Sequence, residues 1–110
     1  MIAVVFAASL AAHVGPGTYR PVFPASPSEQ EVAVAAFWLD REPVTNADFR
    51  AFVAAHPEWS REHAKPIFVD SSYLADLATA PEHAPVVHVS WFAARAYCAA
   101  HRGRLPREAE

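Results

Sequence analysis

Cys98 is the only thiol in this 110-residue sequence, and it is the first candidate for redox or metal chemistry. A reactive cysteine needs a low pKa and partial exposure, and a Cu(I) site normally uses a second thiol. Cys98 instead lies in an apolar run with helical periodicity, where cysteine usually behaves as a small buried hydrophobe. We therefore predict a structural role for Cys98. A single cysteine also excludes an internal disulfide and a cluster of cysteine ligands.

Six histidines are scattered along the chain, and histidine is the commonest metal ligand. No two of them stand in the i, i+4 arrangement of a zinc-binding helix, and no carboxylate completes a ligand spacing with them. The pattern predicts surface or hydrogen-bonded histidines and no metal site. The six are His13, His56, His63, His83, His88 and His101.

Three aspartates are candidates for paired carboxylates in acid–base catalysis, but each has a simpler structural role. Asp48 is placed to cap a helix, and Asp40 and Asp70 have the positions of turn residues. Ser90 lies outside a G-x-S-x-G motif, so a helix cap is its predicted role. We therefore assign no catalytic, cofactor-binding or metal-binding residue.

A group of aromatic residues stands at strand and helix spacing, and two interpretations fit it. These rings either line a peptide groove or form hydrophobic core, and core is the commoner outcome at such spacing. The group comprises Phe37, Trp38, Phe49, Phe52, Trp91 and Tyr97.

The composition indicates one small folded domain. Hydrophobic residues make up 53% of the chain and charged residues 19%, which is enough apolar surface to offset the entropy of ordering it. Ten prolines limit long helices and central strands, because proline lacks an N–H group and clashes in a helix interior. We therefore expect short elements and much irregular chain. The net charge of −3, without a basic stripe, argues against nucleic-acid binding.

Two segments have the composition of strands. Residues 31–40 alternate Val with Ala before an aromatic run, and residues 85–89 form a short Val-rich strand with His88 facing away from its Val neighbours. The Gly-Pro-Gly at residues 15–17 predicts a turn. Residues 18–24 predict at most an edge strand, because prolines flank them.

Two helices are predicted from their caps. Thr45 begins the first, because Thr-Asn-Ala-Asp resembles a capping box in which Asp48 replaces the usual Glu. Phe49, Phe52 and Val53 follow at i, i+3 and i+4 and predict one buried stripe.

Ser90 is the predicted cap of the second helix, which runs from Trp91 to about His101. Gly103 suits the C-terminal end of this helix, because glycine adopts the left-handed conformation that ends many helices.

The last five residues have the character of the first turn of a helix. Pro106 is placed as a first-turn residue, and Glu108 and Glu110 are favourable charges at the positive helix end. A single turn is unstable alone, because nucleation costs more than so few hydrogen bonds return. We therefore expect the domain to continue beyond Glu110.

The first 14 residues leave two interpretations open. The apolar run over residues 2–8 is too short to span a bilayer, which takes about 20 residues. It has the length of a signal-peptide core, and Ser9-x-Ala11 fits a cleavage site, but the usual positive start is missing. Residues 1–14 are either a clipped signal peptide of an exported (periplasmic or secreted) protein, or a buried first strand of a cytoplasmic one.

Three stretches, in order along the chain, resemble motifs of the formylglycine-generating enzyme and sulfatase-modifying factor family. Residues 37–49 resemble its F-x-(L/M)-D-x-x-(P/E)-V-T-N-x-x-(F/Y) motif, and residues 85–98 resemble its P-V-x-x-V-S-W … A-x-x-Y-C motif. Residues 104–110 resemble R-L-P-T-E-A-E, with Arg107 in place of Thr, which removes a helix cap. Weaker matches lie at 15–19 and 68–74.

The resemblance implies an α+β fold of the C-type-lectin-like, sulfatase-modifying-factor type, with short strands, two main helices and irregular chain. In enzymatic members, copper and oxygen oxidise a cysteine of a protein substrate to formylglycine. Other members work with a non-haem iron site on a separate domain in ergothioneine-type sulfoxide synthases, and others are accessory proteins. The family's copper-binding cysteine pair and structural calcium ligands follow the R-L-P-T-E-A-E motif, so no residue of this chain inherits those roles.

Three hypotheses follow. In the first, residues 15–110 are the N-terminal part of such a domain, truncated at the C-terminus and inactive alone. The parent is a copper-dependent oxidase of protein cysteine or an accessory protein, with a protein or peptide substrate bound by the full domain. This hypothesis predicts exposed apolar faces on the Trp91 helix and on the strand over 32–39.

In the second hypothesis, the chain is a small exported module that binds a peptide or glycan on a lectin-like scaffold. The third is an unrelated structural protein with chance matches.

Overall fold

The computed structural model describes residues 11–28 and 30–110, which divide into two compact units. The hairpin unit comprises Met1–Glu42 and Pro106–Glu110, and its described residues hold four short strands. The helical unit, Pro43–Leu105, holds two α-helices and one 3₁₀ helix. The longest element among the described residues has ten residues. An α+β chain with short elements and much irregular structure is therefore confirmed.

The strands of the hairpin unit pair antiparallel. β1 (Ala11–Val14) pairs with β4 (Phe37–Asp40), and β2 (Gly17–Tyr19) pairs with β3 (Val32–Val34). In β3 both valines are half-buried and the alanine between them is exposed, as the alternation predicts.

The two ladders keep one register. Val14 lies opposite Phe37 and Gly17 lies opposite Val34. Two residues of each strand are therefore unpaired between the ladders, and the second ladder continues the register of the first. One of these unpaired residues is Pro16, which has no N–H group to donate to a ladder. The four strands therefore form a single long hairpin with a two-residue gap.

This hairpin tests the strand predictions. The strand over residues 31–40 is confirmed, although the gap divides it into β3 and β4. The turn predicted at residues 15–17 is wrong, because the chain passes through that point inside the hairpin without reversing. Residues 11–14 form the partly buried β1, and residues 1–10 lie outside the described residues, so the signal peptide stays a prediction.

Residues 107–110 form one hydrogen-bonded turn. The N–H of Glu110 donates to the carbonyl oxygen of Arg107 at 3.0 Å, and the Glu110 carboxylate accepts from the Arg107 N–H at 2.8 Å. This is the half of a capping box that glutamate supplies. Arg107 has no hydroxyl to supply the other half.

Helix α1 (Asn46–Ala55) begins with the predicted capping box. The Thr45 hydroxyl oxygen accepts from the Asp48 N–H, and the Asp48 carboxylate accepts from the Thr45 N–H, each at 3.2 Å. Phe49 and Phe52 are buried, as the helical spacing predicts. A 3₁₀ helix, Pro57–Trp59, follows directly.

Helix α2 (Trp91–Ala100) begins at its predicted cap, where the Ser90 hydroxyl oxygen accepts from the Ala93 N–H at 3.1 Å. Ala93 is fully buried, and Trp91 is 57% exposed. No helix among the described residues is long and apolar enough to span a bilayer.

The end of α2 corrects the prediction for Gly103. The N–H of Gly103 donates to the carbonyl of Cys98, and the N–H of Arg102 donates to that of Ala99, which is the Schellman arrangement. The left-handed residue of this motif is Arg102, with φ of 59°, and Gly103 has no positive φ. The helix therefore ends one residue earlier than the glycine suggests.

The strand predicted over residues 85–89 is also wrong. Pro85 makes only an isolated bridge with Thr45, and the Val86 N–H donates to the carbonyl of Val44 at 2.9 Å. His88 then adopts a left-handed conformation with φ of 56°, which an extended strand does not accommodate. The alternating pattern was too short to outweigh this local bend.

The core of the helical unit confirms half of the aromatic group as hydrophobic core. The rings of Phe49 and Phe52 lie 5.3 Å apart, and Tyr97 contacts both, at 5.7 and 5.3 Å. Trp91 instead remains exposed. In the hairpin unit Trp38 is 67% exposed, so α2 and the 32–39 strand each expose apolar side chains, while Val32 and Val34 of the strand are half-buried.

Two arginines hold the irregular segment between the helices. Arg50, on α1, donates to the carbonyl oxygens of Leu77 (2.9 Å) and Ala80. Arg61 donates to the carbonyl oxygens of Tyr73 and Ser71. These side-chain bonds replace the backbone ladders that a strand or helix would provide.

Asn46 makes a similar tie. This residue is 3% exposed, and its side-chain amide donates to the carbonyl oxygen of Pro81 at 2.8 Å. Its backbone N–H donates to the carbonyl oxygen of Ala84 at 2.9 Å. The first turn of α1 therefore fixes the chain that leads to α2.

Candidate functional site

The candidate site is a cleft of about 320 Å³ within the helical unit. Two segments of the chain line it, residues 67–73 and residues 88–92, and we call it the aromatic cleft. The second segment is the start of α2 with its cap. The first is the irregular segment whose backbone Arg61 holds.

The aromatic residues of the cleft pack on one another and remain accessible. The ring of Phe92 lies 4.9 Å from that of Phe68 and 5.2 Å from that of Trp91, the latter edge-on. Trp91 is 57% exposed and Phe92 is 43% exposed. The guanidinium of Arg95, one turn along α2, lies over the Trp91 ring at 5.4 Å. These contacts hold the rings in place before any ligand arrives.

Asp70 supplies the negative charge of the cleft. Its Oδ1 accepts from the hydroxyl of Ser72 at 2.6 Å and from the N–H of Ser72 at 2.9 Å. The Ser72 hydroxyl bond, followed by the backbone bond, lowers the pKa of Asp70 below its ordinary value. Asp70 is therefore an oriented, ionised acceptor.

Tyr73 also lines the cleft and is almost fully buried, at 2% exposed. Its hydroxyl donates to the carbonyl oxygen of Trp59 at 2.7 Å. Burial raises the pKa of Tyr73 to about 12, so the phenol keeps its proton. Tyr73 is thus a structural anchor of the cleft.

His88 lines the cleft from a strained position. Both His88 and Leu74 have positive φ, at 56° and 52°, and the N–H of Leu74 donates to the carbonyl oxygen of His88 at 2.8 Å. Left-handed non-glycine residues cost free energy and occur preferentially where function or tight packing requires them. The bond between the two residues fixes the bend that brings His88 to the cleft.

The structure confirms the structural roles predicted for most candidate residues. Asp48 and Ser90 are helix caps, and Asp70 forms a turn with Ser72. The turn predicted at Asp40 is wrong, because this residue is the exposed last residue of β4. Cys98 lies in α2 as predicted, but it is only half-buried.

The histidines are dispersed, and several have partners outside any metal site. Nδ1 of His63 lies 2.8 Å from the Ser60 hydroxyl, and Nδ1 of His101 lies 2.9 Å from the Tyr97 carbonyl oxygen. Within residues 11–28 and 30–110, no three His, Cys, Asp or Glu side chains form a group able to hold a metal ion. With one thiol, this chain does not fit a copper site built from a cysteine pair.

Of the six aromatic residues considered for a groove, only Trp91 lines the aromatic cleft. Sequence reasoning missed the rest of the cleft and the two arginines that hold its irregular segment. Asp70-Ser71-Ser72 was a visible turn signal, but nothing local paired it with the start of α2. Arg50 and Arg61 bond to carbonyl groups ten or more residues away, and such contacts leave no periodic pattern.

The described chain is α+β, with its strands in the hairpin unit and its helices in the helical unit, where caps and arginine bonds order much irregular chain. A model of the sulfatase-modifying factor enzyme 1-like domain matches residues 8–110. The chain therefore belongs to the sulfatase-modifying factor (formylglycine-generating enzyme) family. Among curated proteins, none matches the chain significantly.

Proposed function

We propose that residues 15–110 form the N-terminal scaffold of a sulfatase-modifying-factor domain and that they carry no oxidase chemistry of their own. The observation that carries this proposal is the family match over residues 8–110 in a chain with a single thiol. The motifs at 37–49, 85–98 and 104–110 are those of the first part of the family domain. The complete domain would have a C-type-lectin-like fold.

In this proposal the parent protein is either a copper-dependent oxidase that converts a protein cysteine to formylglycine or an accessory protein. Copper and oxygen would supply the oxidation in the first case. The residues described above contribute packing and position. Asn46, Arg50 and Arg61 order the segment before α2, and the core phenylalanines hold α1 against α2.

The proposal is tested with the whole chain. The protein is loaded with Cu(I) and incubated in air with a sulfatase-derived peptide that contains the target cysteine. We expect mass spectrometry to show no formylglycine. We also expect competition with a Cu(I) chelator to give the same affinity for the wild type and for Cys98→Ser. Turnover, or Cu(I) binding that depends on Cys98, would contradict the proposal.

A second candidate function is a small peptide- or glycan-binding module, which would be exported if residues 1–14 are a signal peptide. The aromatic cleft favours it, because exposed rings beside an oriented carboxylate are typical of ligand sites. This function requires that the chain alone unfolds in one cooperative transition. A broad, non-cooperative thermal unfolding curve, measured by circular dichroism, would exclude the binding-module function.

A further inference from the structure

The lining of the aromatic cleft is amphiphilic. Phe68, Trp91 and Phe92 provide apolar ring surface in this cleft. Asp70 provides a negative charge, and His88 provides an imidazole that can form hydrogen bonds. A well-matched ligand therefore needs an apolar face together with polar groups at its edge. The volume of about 320 Å³ lies at the small end of the range for small-molecule sites, so the ligand is short.

The rings are held in place in the absence of a ligand. Trp91 meets Phe92 edge-on at 5.2 Å, and Phe92 meets Phe68 at 4.9 Å, yet Trp91 remains 57% exposed. A ligand that stacks on a ring already in place loses less side-chain entropy on binding than one that must order it. The exposed indole is thus the natural stacking surface.

The polar groups favour a ligand that donates hydrogen bonds. Asp70 is ionised and only accepts, and Ser72 fixes the direction of its carboxylate. The imidazole of His88 either donates or accepts, and its backbone is fixed by the bond to Leu74. Hydroxyl groups suit both residues, because a hydroxyl donates to a carboxylate and exchanges either role with an imidazole.

The charges at the cleft disfavour ionic ligands. An anion would meet the negative charge of Asp70. A cation stacking on Trp91 would be attracted by Asp70, but it would also be repelled by the guanidinium of Arg95, which lies 5.4 Å from the centre of that ring. A neutral ligand avoids both repulsions.

We infer that the aromatic cleft binds a short neutral saccharide, which stacks an apolar ring face on Trp91 and donates hydroxyl groups to Asp70. This inference rests on the second candidate function and names its ligand class. His88 contributes a second polar contact from its fixed left-handed position.

The test is titration of the whole chain with cellotriose, maltotriose and N,N′-diacetylchitobiose, with binding measured by tryptophan fluorescence and by calorimetry. We expect saturable binding of at least one of the three. Trp91→Ala should weaken it at least about tenfold, and Asp70→Asn, which keeps an acceptor oxygen for Ser72, should weaken it several-fold. Trp38→Ala, at an exposed tryptophan of the hairpin unit, is the matched control and should leave the affinity unchanged.

The outcomes separate the two levels of the inference. If the wild-type chain does not unfold in a cooperative thermal transition, the binding-module function itself is contradicted. A folded wild type that binds none of the three sugars overturns only the saccharide assignment. Binding that survives both cleft substitutions places the site elsewhere and also overturns it. Saturable binding of an arginine-rich peptide, lost in Trp91→Ala and Asp70→Asn, would reassign the cleft to a basic peptide. Circular dichroism of each variant controls for unfolding.

Discussion

At the residue scale, single side chains order much of the helical unit. Arg50 and Arg61 are the clearest cases, because each donates to two backbone carbonyl oxygens in a segment without regular structure. The guanidinium presents several N–H donors in a rigid plane, and a lysine ammonium does not reproduce that geometry. Stability here therefore depends on the type of cation as well as on its charge.

Arg50→Lys should lower the free energy of unfolding by about 1–3 kcal/mol, because the carbonyl groups of Leu77 and Ala80 lose the paired donors. Urea titration measures the loss, and hydrogen exchange should show faster opening around residues 77–80. Arg102→Lys, at an exposed arginine, is the matched control and should change little. Equal effects of the two substitutions would contradict this role for Arg50.

Tyr73 predicts a stability loss at high pH. Its pKa is raised from 10.0 to about 12 in the folded state, so the unfolded chain ionises first as the pH rises. The contribution of this buried phenol is complete below pH 10 and is lost between pH 10 and 12. We expect the free energy of unfolding to fall across that window. In Tyr73→Phe, that part of the pH dependence should disappear, together with the bond to Trp59. An unchanged slope in the variant would disprove the assignment.

At the element scale, caps proved more reliable guides than strand patterns. Thr45 and Ser90 were read correctly as helix starts, because a cap depends on residues within one turn of each other. The strand predicted at 85–89 was wrong, because the chain bends at His88, whose carbonyl oxygen accepts from the N–H of Leu74, a residue distant in sequence. Long-range bonds of this kind also explain why the aromatic cleft escaped prediction, although Asp70 and Ser90 were each assigned correctly.

The end of α2 offers a test of backbone strain. Arg102 has a left-handed conformation that costs an L-residue about 1 kcal/mol or more, and glycine adopts it without that cost. Arg102→Gly should therefore raise the free energy of unfolding by up to about 1 kcal/mol. Gly103→Ala is the companion variant. Its added Cβ would meet only the Cys98 carbonyl oxygen at 3.6 Å, so it should be neutral or slightly stabilising. Destabilisation by Arg102→Gly would show that the Arg102 side chain matters more than its backbone.

At the scale of the whole molecule, the two units differ in how much they bury. All described residues that are buried lie in the helical unit, around Phe49, Phe52 and Tyr73. The described strands of the hairpin unit are at most half-buried, and a two-stranded ladder is marginal without a packed face. Exposed Trp38 and Trp91 show that each unit retains apolar surface available for further contacts.

Hydrogen exchange should reveal this difference directly. We expect the ladder amides of β1–β4 to exchange at least about tenfold faster than the central amides of α1, because local opening is easier where little surface is buried. Nuclear magnetic resonance of the whole chain measures both sets in one sample. Equal protection of the two sets would mean that the hairpin is stabilised as strongly as the helical core.

The two ladders of the hairpin share one register, and this limits how the lengths of its strands can vary. Side chains alternate between faces, so adding or deleting one residue at the Ala35–Ala36 gap would invert the faces of β4 relative to β3. A change of two residues would restore the alternation at the expense of a larger bulge. Insertions between Tyr19 and Val32 leave the alternation untouched, because the described residues of that segment add no pair to the β2–β3 ladder. Relatives of this chain should therefore differ freely in length at the tip and only by even numbers at the gap.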